Sequence, residues 1–261
     1  MHIYFYDSFV NQTKFENSIA KIETRMTDLG LNGRIIRLGV MQNLFSAVEN
    51  EIKRGAKSLV AVGDDNTFSQ IINAVAALMS ANQIGQNIPI GIIPIGGKSD
   101  NQIASALGMC NDLESCDILS ARRVEQIDIG KANNHFFISH AIIGTKNTVL
   151  EIDENYSIEI HGDGEIRIIN FNTSNYSLPT NVKPSPQDSI LELVISTSES
   201  KKFLKLYKKD NSQSIFSFNN LNIINNSQQI ELDNSLKVDM PARISIANIK
   251  IPIIVGKDRS F

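Results

Sequence analysis

The sequence has no tryptophan, only two cysteines, and no apolar run that approaches the ~20 residues needed to span a bilayer. Its first residues, MHIYFYDSFVNQ, lack the basic stretch and the long apolar stretch of a secretory signal peptide. We therefore expect a cytoplasmic protein in which Cys110 and Cys116 are reduced rather than joined in a disulfide. Neither a Walker A motif nor a G-x-S-x-G nucleophile elbow is present, so the signatures of those two enzyme classes are missing.

Charge of one sign is also missing. The chain has 25 basic and 28 acidic residues, a net charge of −3 and a pI near 5.8. Because bulk electrostatic binding of nucleic acid needs a basic surface, we expect no nucleic-acid partner. The 42% hydrophobic and 20% charged content is typical of a globular protein, and 261 residues suit one large domain or two smaller ones.

Apolar strands alternate with amphipathic helices up to about residue 124. The predicted strands are residues 2–9, 34–39, 58–63 and 88–96, and the predicted helices are residues 14–29, 44–56, 66–82 and 101–109. This βαβα alternation predicts a parallel sheet with helices on its faces. The run IPIGIIPIG is apolar almost throughout, as expected for a parallel strand covered on both sides.

Helical periodicity almost disappears after residue 124. Short alternating or apolar runs separated by turn residues follow, with one predicted helix at 198–210. We therefore predict an α/β nucleotide-binding-like domain over residues 1–124 and an antiparallel all-β domain over residues 125–261. The pattern of the second domain suits a sandwich or a barrel, and we predict a β-sandwich domain. The last strand is expected to be able to return to the first domain.

Two loops have the position of ligand-binding loops, because each follows a parallel strand and precedes a helix. They span residues 63–67 (GDDNT) and residues 96–101 (GGKSDN). Backbone N–H groups at helix starts bind anions, and glycine permits close approach. A single loop of this kind is explained equally well as a plain turn between strand and helix. Two such loops, however, predict convergence on one nucleotide.

These segments also resemble motifs of the diacylglycerol kinase and lipid kinase family, which is similar to NAD kinases and sphingosine kinases. GDDNT resembles the family's G-G-D-G-T loop, and PIGGKSDNQIASALG (94–108) resembles P-L-G-T-x-N-D-F-A-R-x-L-G with two residues inserted. Later in the chain, PSPQDSILELVI (184–195) resembles P-x-A-x-x-D-D-G-L-L-x-x-V. IELDNSLKVDMPARISI (230–246) resembles the segment that carries D-G-E.

The resemblance implies a cleft that binds ATP with Mg²⁺ and transfers phosphate to a lipid hydroxyl such as that of diacylglycerol. By position, Asp233 becomes the catalytic base, Asp65 lies by the nucleotide and its metal, and Asp188 matches a structural metal site. The nucleotide-binding residues implied are Gly63, Asp64, Asp65, Asn66, Thr67, Gly96, Gly97, Lys98 and Asn101.

Several positions depart from the family pattern. Asp64 and Asn66 replace glycines of the first loop, while Asn234 and Ser235 stand where the family has the Gly and Glu of D-G-E. Asp64 would repel a phosphate, and Lys98 is either a phosphate-binding cation that offsets this repulsion or a solvated surface lysine. The alternative function is therefore a weak or inactive pseudokinase that binds nucleotide or lipid and regulates a partner.

A third hypothesis, NAD-kinase-like phosphorylation of a nucleotide, would need a dinucleotide-shaped cleft, of which the Asn-rich second half gives no sign. The expected partners are a nucleotide and a lipid. The sequence is also compatible with peripheral membrane contact, without a transmembrane segment, and with a homodimer.

Overall fold

The structure is a computed structural model of the chain. It describes residues 1–39, 43–85, 88–109, 111–160, 162–173, 176–179, 182–198 and 211–261. The helix predicted at 198–210 falls, from residue 199 onward, outside the described residues, and Ser198 itself ends a strand.

The first half contains a parallel sheet of four strands in the order β2-β1-β3-β4. Its strands are β1 (His2–Tyr6), β2 (Gly33–Arg37), β3 (Ser58–Gly63) and β4 (Ile90–Pro94). Its helices are α1 (Glu16–Asp28), α2 (Leu44–Lys53), α3 (Asp65–Ser80), α4 (Gln102–Ala106) and α5 (Asp112–Ala121). Short 3-10 helices cover Ser8–Asn11, Thr13–Phe15 and Lys98–Asp100. The α/β prediction for this half is confirmed.

The sequence did not predict α5, and the single helix expected at 101–109 is shorter. Gly108 adopts a φ of +76° and ends the α4 region, because this left-handed conformation suits glycine. Asn111 then begins α5 by accepting a hydrogen bond from the backbone N–H of Glu114 at 2.9 Å. The buried residues of α5 include two small ones, Ser115 and Cys116, so its apolar periodicity is weak.

The second half is all-β and antiparallel, as predicted. Its strands are β5 (Val124–Ala132), β6 (His135–Phe137), β7 (His140–Gly144), β8 (Val149–Ile152), β9 (Tyr156–Glu159), β10 (Gly164–Ile169), β11 (Leu191–Ser198), β12 (Asn211–Phe218), β13 (Asn220–Ile224), β14 (Ile230–Leu232), β15 (Leu236–Val238) and β16 (Ala242–Ile254). One sheet has the order β12-β11-β10-β7-β14-β15. A hydrophobic core is built from this sheet and from strands β8, β13 and β16, which belong to the larger sheet that also contains β1 to β4. This shared core supports the sandwich description, which stays a prediction.

The last strand connects the two halves. Strand β16 pairs in parallel with β4 through Ile253 and Ile90, and antiparallel with β5 and β13. The large sheet therefore runs from the α/β part into the β part without a break. The proposed boundary at residues 124 and 125 lies where α5 has ended and β5 begins, and it stays a prediction. Among the described helices, none is long and apolar enough to cross a bilayer.

Candidate functional site

The first loop begins where β3 ends, at Gly63. A Cβ atom on Gly63 would lie 2.9 Å from Oγ1 of Thr67, so the close approach of the two residues requires glycine. Asp64 caps α3, because its Oδ1 atom accepts a hydrogen bond from the backbone N–H of Thr67 at 3.0 Å. The Thr67 hydroxyl donates to Oδ2 of Asp7, at the end of β1, over 2.6 Å. The N–H and hydroxyl groups of Thr67 are thus satisfied by Asp64 within the loop and by Asp7 outside it.

Asp65 ties the first loop to the second. Its two carboxylate oxygens accept hydrogen bonds from the backbone N–H groups of Ile103, at 2.7 Å, and Ala104, at 2.9 Å. These groups belong to the first turn of α4, where a carboxylate is favoured by the helix dipole. Burial nevertheless raises the pKa of Asp65 to about 7, with a smaller contribution from the charge of Asp233 and against the hydrogen bonds from α4.

The second loop is open in comparison. Residues 96–100 are exposed, and Gly96 has a φ of +116°. The backbone N–H of Gly97 donates to Oδ2 of Asp100 at 3.1 Å. The Asn101 amide donates to the carbonyls of Gly97, at 3.0 Å, and Ile95, at 3.3 Å, while its buried Oδ1 atom has no partner among the described residues. In the part of the chain that the structure describes, Lys98 forms no ion pair.

Asp233 lies opposite these loops, in the turn between β14 and β15. It has a left-handed φ of +49° and only 3% of its surface is exposed. Its Oδ2 accepts a hydrogen bond from the N–H of Ile138 at 2.8 Å. Its Oδ1 accepts from Ser139 at 2.8 Å and His140 at 3.0 Å. Burial raises the pKa of Asp233, and the nearby His140 and these N–H groups oppose the rise.

His140 also belongs to this site, although its position in the sequence does not indicate a functional role. Burial lowers its pKa, so the ring is neutral near pH 7. Nδ1 lies 2.8 Å from the Ser139 hydroxyl and Nε2 lies 3.3 Å from Oδ1 of Asn234. Since the amide oxygen can only accept, the proton is assigned to Nε2, and Nδ1 accepts from Ser139. No pattern of histidine spacing in the sequence could have indicated this role.

A direct contact closes the site between the two halves. The Ser235 hydroxyl donates to Oδ1 of Asn66, which also accepts a hydrogen bond from the Gln70 amide at 3.0 Å. Asn66 and Ser235 are two of the positions at which the sequence departs from the lipid-kinase pattern. The two departures are therefore neighbours in space, and each gives the other a hydrogen-bonding partner.

The predicted nucleotide-binding residues divide between two cavities. The first, of about 210 Å³, has these described lining residues: Asp64, Asp65, Asn66, Ser99, Asp100, Gln102, Ile103, His140, Thr173, Asp233 and Asn234. None of these residues is Lys or Arg, so no Lys or Arg among the described lining residues offsets the charge of the carboxylates in this acidic cavity. The second, of about 450 Å³, is lined in part by Gly96, Gly97, Lys98 and Asn101. Gly63 and Thr67 line neither cavity and support the first loop instead.

The two predicted metal ligands belong to different predicted sites, Asp65 beside the metal of the nucleotide and Asp188 at a structural metal site. Asp188 is exposed and its Oδ1 accepts the N–H of its own turn, from Ile190 at 3.0 Å, while both oxygens of Asp65 bind N–H groups of α4. Among the described residues, no three His, Cys, Asp or Glu side chains are placed to hold a metal ion. Because Mg²⁺ is often held by one or two carboxylates with water and phosphate oxygens, the metal-binding roles of Asp65 and Asp188 stay predictions.

Known proteins resemble this chain in the sequence of its first half and in the fold of its full length. The sequence model of the diacylglycerol kinase catalytic domain matches residues 3–132, which include both loops. The chain belongs to the diacylglycerol kinase catalytic-domain family. Asp188 and Asp233 lie beyond the matched residues, so this match does not bear on their roles.

Two curated relatives illustrate this membership. The diacylglycerol kinase of Staphylococcus haemolyticus (strain JCSC1435) is 30% identical over 97 residues, which are 37% of this chain and 27% of the relative. The diacylglycerol kinase of Staphylococcus aureus (strain JH9) is 31% identical over 87 residues, which are 33% of this chain and 25% of the relative. The match thus spans about a quarter of the length of these relatives.

The fold extends the likeness to the second half. A crystal structure of a diacylglycerol kinase from Bacillus anthracis str. Sterne superposes with a TM-score of 0.74 and 15% identity, over 98% of this chain and 97% of that one. At this identity the likeness establishes the fold alone. It covers the α/β part, the all-β part and the arrangement of the two.

Proposed function

We propose that this family member binds ATP and transfers its terminal phosphoryl group to a lipid hydroxyl, such as that of diacylglycerol. The observation that carries the proposal is the convergence of three segments: the loop at 63–67, the loop at 96–101 and the turn that holds Asp233. Two of these follow adjacent parallel strands, the position at which α/β folds bind nucleotides. Family membership supports the same reaction class.

The phosphates are better accommodated beside Lys98 than in the acidic cavity. That cavity carries the carboxyl groups of Asp64, Asp65, Asp100 and Asp233 and no described basic residue of the Lys or Arg type. The larger cavity offers Lys98 and the glycine backbone of the second loop. Lys98 is exposed, and its ammonium group is a mobile point charge that suits a phosphate oxygen. In this arrangement the buried Oδ1 of Asn101 accepts a hydrogen bond from a hydroxyl or amino group of the nucleotide.

Asp233 is the candidate general base. Its two oxygens offer about four lone-pair positions, of which three accept backbone N–H groups. One position on Oδ2 is left to take the proton of an acceptor hydroxyl as that oxygen bonds to the terminal phosphorus and ADP leaves. Asp233 also lines a cavity of about 280 Å³ on its other side, whose apolar lining includes Leu44, Phe45, Phe136 and Leu236. This cavity suits an apolar acceptor.

A second candidate function is a pseudokinase that binds nucleotide or lipid with little turnover. This function is favoured because carboxylates of the chain already accept hydrogen bonds from the N–H groups that could bind phosphate. Asp64 accepts at the start of α3, Asp65 accepts at the start of α4, and Asp100 accepts from the N–H of Gly97. A phosphate competes for those groups with a side chain already in place. The two functions differ in whether phosphoryl transfer occurs, and they share the nucleotide site.

Calorimetric titration with ATP, with and without Mg²⁺, tests the shared site, and a phosphoryl-transfer assay on a panel of lipid alcohols separates the two functions. Lys98→Gln is the test variant and Lys21→Gln, an exposed residue of α1, is its matched control. We expect Lys98→Gln to weaken ATP binding about tenfold and Lys21→Gln to leave it unchanged. Transfer to a lipid supports the kinase. ATP binding without transfer supports the pseudokinase, and an absence of ATP binding contradicts both the kinase and a pseudokinase that binds nucleotide.

A further inference from the structure

A separate cavity of about 110 Å³ lies at the amino-terminal ends of β1 and β3, opposite the strand ends that carry the two loops. Its described lining residues are His2, Tyr4, Leu31, Lys57, Ser58, Val60, Pro89, Leu119, Arg122, Val124 and Ile254. Three of them are basic and none is Asp or Glu. The cavity therefore contrasts in charge with the acidic cavity at the opposite edge of the sheet.

The basic groups are close together. One guanidinium nitrogen of Arg122 lies 3.2 Å from Nε2 of His2, and Nδ1 of His2 lies 2.6 Å from the Ser58 hydroxyl. Because Arg can only donate, Nε2 accepts and the ring is neutral, with its proton on Nδ1. Burial lowers the pKa of His2, and the charges of Arg122, the amino group of Met1 and Lys57 lower it further. A bound anion would reverse this repulsion.

The backbone of Arg122 supplies an independent observation. Arg122 follows the last turn of α5 in the left-handed region, with a φ of +50°, where glycine is the favoured residue. An arginine side chain is unfavourable at this position. Its guanidinium is nevertheless directed at His2, at the edge of the cavity. The backbone conformation at this position thus favours glycine, whereas the arginine found there adds a positive charge to the cavity.

The floor of the cavity is apolar. Tyr4, Leu31, Leu119 and Ile254 are all buried, and the Tyr4 hydroxyl is satisfied because it donates to the carbonyl of Leu31 at 2.6 Å. Val124, at the rim, is 39% exposed. The cavity thus combines the exposed basic residues Lys57 and Arg122 with a buried apolar floor.

We propose that His2, Lys57 and Arg122 form a binding site for a phosphomonoester, whose apolar substituent packs on Tyr4, Leu31, Leu119 and Ile254. The oxygens of a phosphate match the fork of the Arg122 guanidinium and the ammonium of Lys57. The phosphate can belong to a soluble ester or to the headgroup of a phospholipid. This site is independent of the proposed kinase function, because it uses none of the residues of the cleft.

The test uses Arg122→Gly, Lys57→Gln and the control Lys237→Gln, which changes an exposed lysine of β15 outside the cavity. Binding of inorganic phosphate and of glycerol 3-phosphate is followed by NMR titration. Binding to phosphatidylcholine vesicles is compared with and without phosphatidic acid. Thermal melting is measured for every variant.

Arg122→Gly and Lys57→Gln are each expected to weaken binding about tenfold, while Lys237→Gln leaves it unchanged. Arg122→Gly is also expected to melt at or above the wild-type temperature, because glycine relieves the left-handed backbone. This combination separates binding from folding. Binding of the soluble esters identifies a soluble ligand, and binding only to vesicles with phosphatidic acid identifies a lipid. Equal affinity of wild type and both test variants, or no binding of any probe, overturns the proposal.

Discussion

The loops at 63–67 and 96–101 follow neighbouring parallel strands, yet their backbone N–H groups have different partners. In the first loop, Asp64 caps α3 and the Thr67 hydroxyl binds Asp7 at the end of β1, so side chains of the protein already occupy these polar groups. In the second loop, residues 96–100 are exposed and Lys98 carries a charge that no described carboxylate neutralises by an ion pair. The two loops therefore have similar positions in the fold, but their side chains differ in chemistry.

This difference shows that the fold supplies potential anion sites and that the local sequence decides whether they remain open. A carboxylate at a helix start satisfies the same N–H groups that would bind a phosphate. Asp65 does so for the helix that follows the other loop. We therefore assign a structural role to the first loop and a greater share of ligand binding to the second.

The largest expected effect is a difference in unfolding free energy between a substitution in the first loop and one in the second. Asp65→Ala leaves two N–H groups of α4 without their acceptor and is expected to lower the free energy of unfolding by about 2 kcal/mol. Asp100→Ala removes one hydrogen bond in an exposed loop and should cost below about 1 kcal/mol. Urea unfolding of both variants measures the difference. Equal losses would mean that the first loop is no more structural than the second.

The pKa of Asp65 predicts a pH dependence. Its pKa is about 7 in the folded protein against 3.8 for the ordinary side chain, so the folded state binds the proton more tightly. Between these pH values stability falls as the pH rises, by up to about 1.4 kcal/mol per pH unit for one proton. Asp65→Asn should remove this component. Glu192 and Asp233, whose pKa values are also raised, act in the same direction and are present in both proteins.

Urea unfolding of wild type and Asp65→Asn at several values between pH 4 and pH 7 checks this expectation. The two proteins should differ in slope, with the variant less sensitive to pH. Parallel curves would show that folding does not raise the pKa of Asp65.

The smallest effect concerns the contact between the halves. Ser235→Ala removes the hydrogen bond to Asn66, whose oxygen keeps the Gln70 amide as a donor. Because both residues of the contact are at least partly exposed, we expect a loss of about 0.5 kcal/mol in unfolding free energy. Ser227→Ala, another hydroxyl bonded to an asparagine oxygen within one turn, is a suitable comparison. A loss above about 2 kcal/mol would show that this contact holds the halves together.

Sequence periodicity was sufficient for the fold class but not for every element. The alternation of buried strands and amphipathic helices predicted β1 to β4 and α1 to α3, since each of these elements has an apolar face of the right period. Helix α5 was missed because small residues fill its buried face. The pairing of β16 with β4 depends on contacts between the two ends of the chain, which local patterns do not encode.

The candidate site was predictable as a set of loops, and its partners were not. Glycine and asparagine after a buried strand indicated both loops. Capture of Asp65 by α4, and of Asp233 by the backbone of residues 138–140, arises from tertiary approach. His140 acquires its place in the cavity in the same way. The roles of the predicted site residues in binding and catalysis stay predictions until they are measured.

We infer that Asp64 stabilises the start of α3 and repels phosphate. This claim is tested by ATP titration of wild type, Asp64→Gly and Asp64→Asn, each with and without Mg²⁺. Asp64→Asn keeps a capping side chain and removes the charge, while Asp64→Gly removes both at a cost of a few tenths of a kcal/mol in stability. We expect both variants to bind ATP roughly tenfold more tightly than wild type, with a smaller gain at high salt. Unchanged affinity in all titrations would contradict the claim, and weaker binding of the variants only with Mg²⁺ would show instead that Asp64 is a metal ligand.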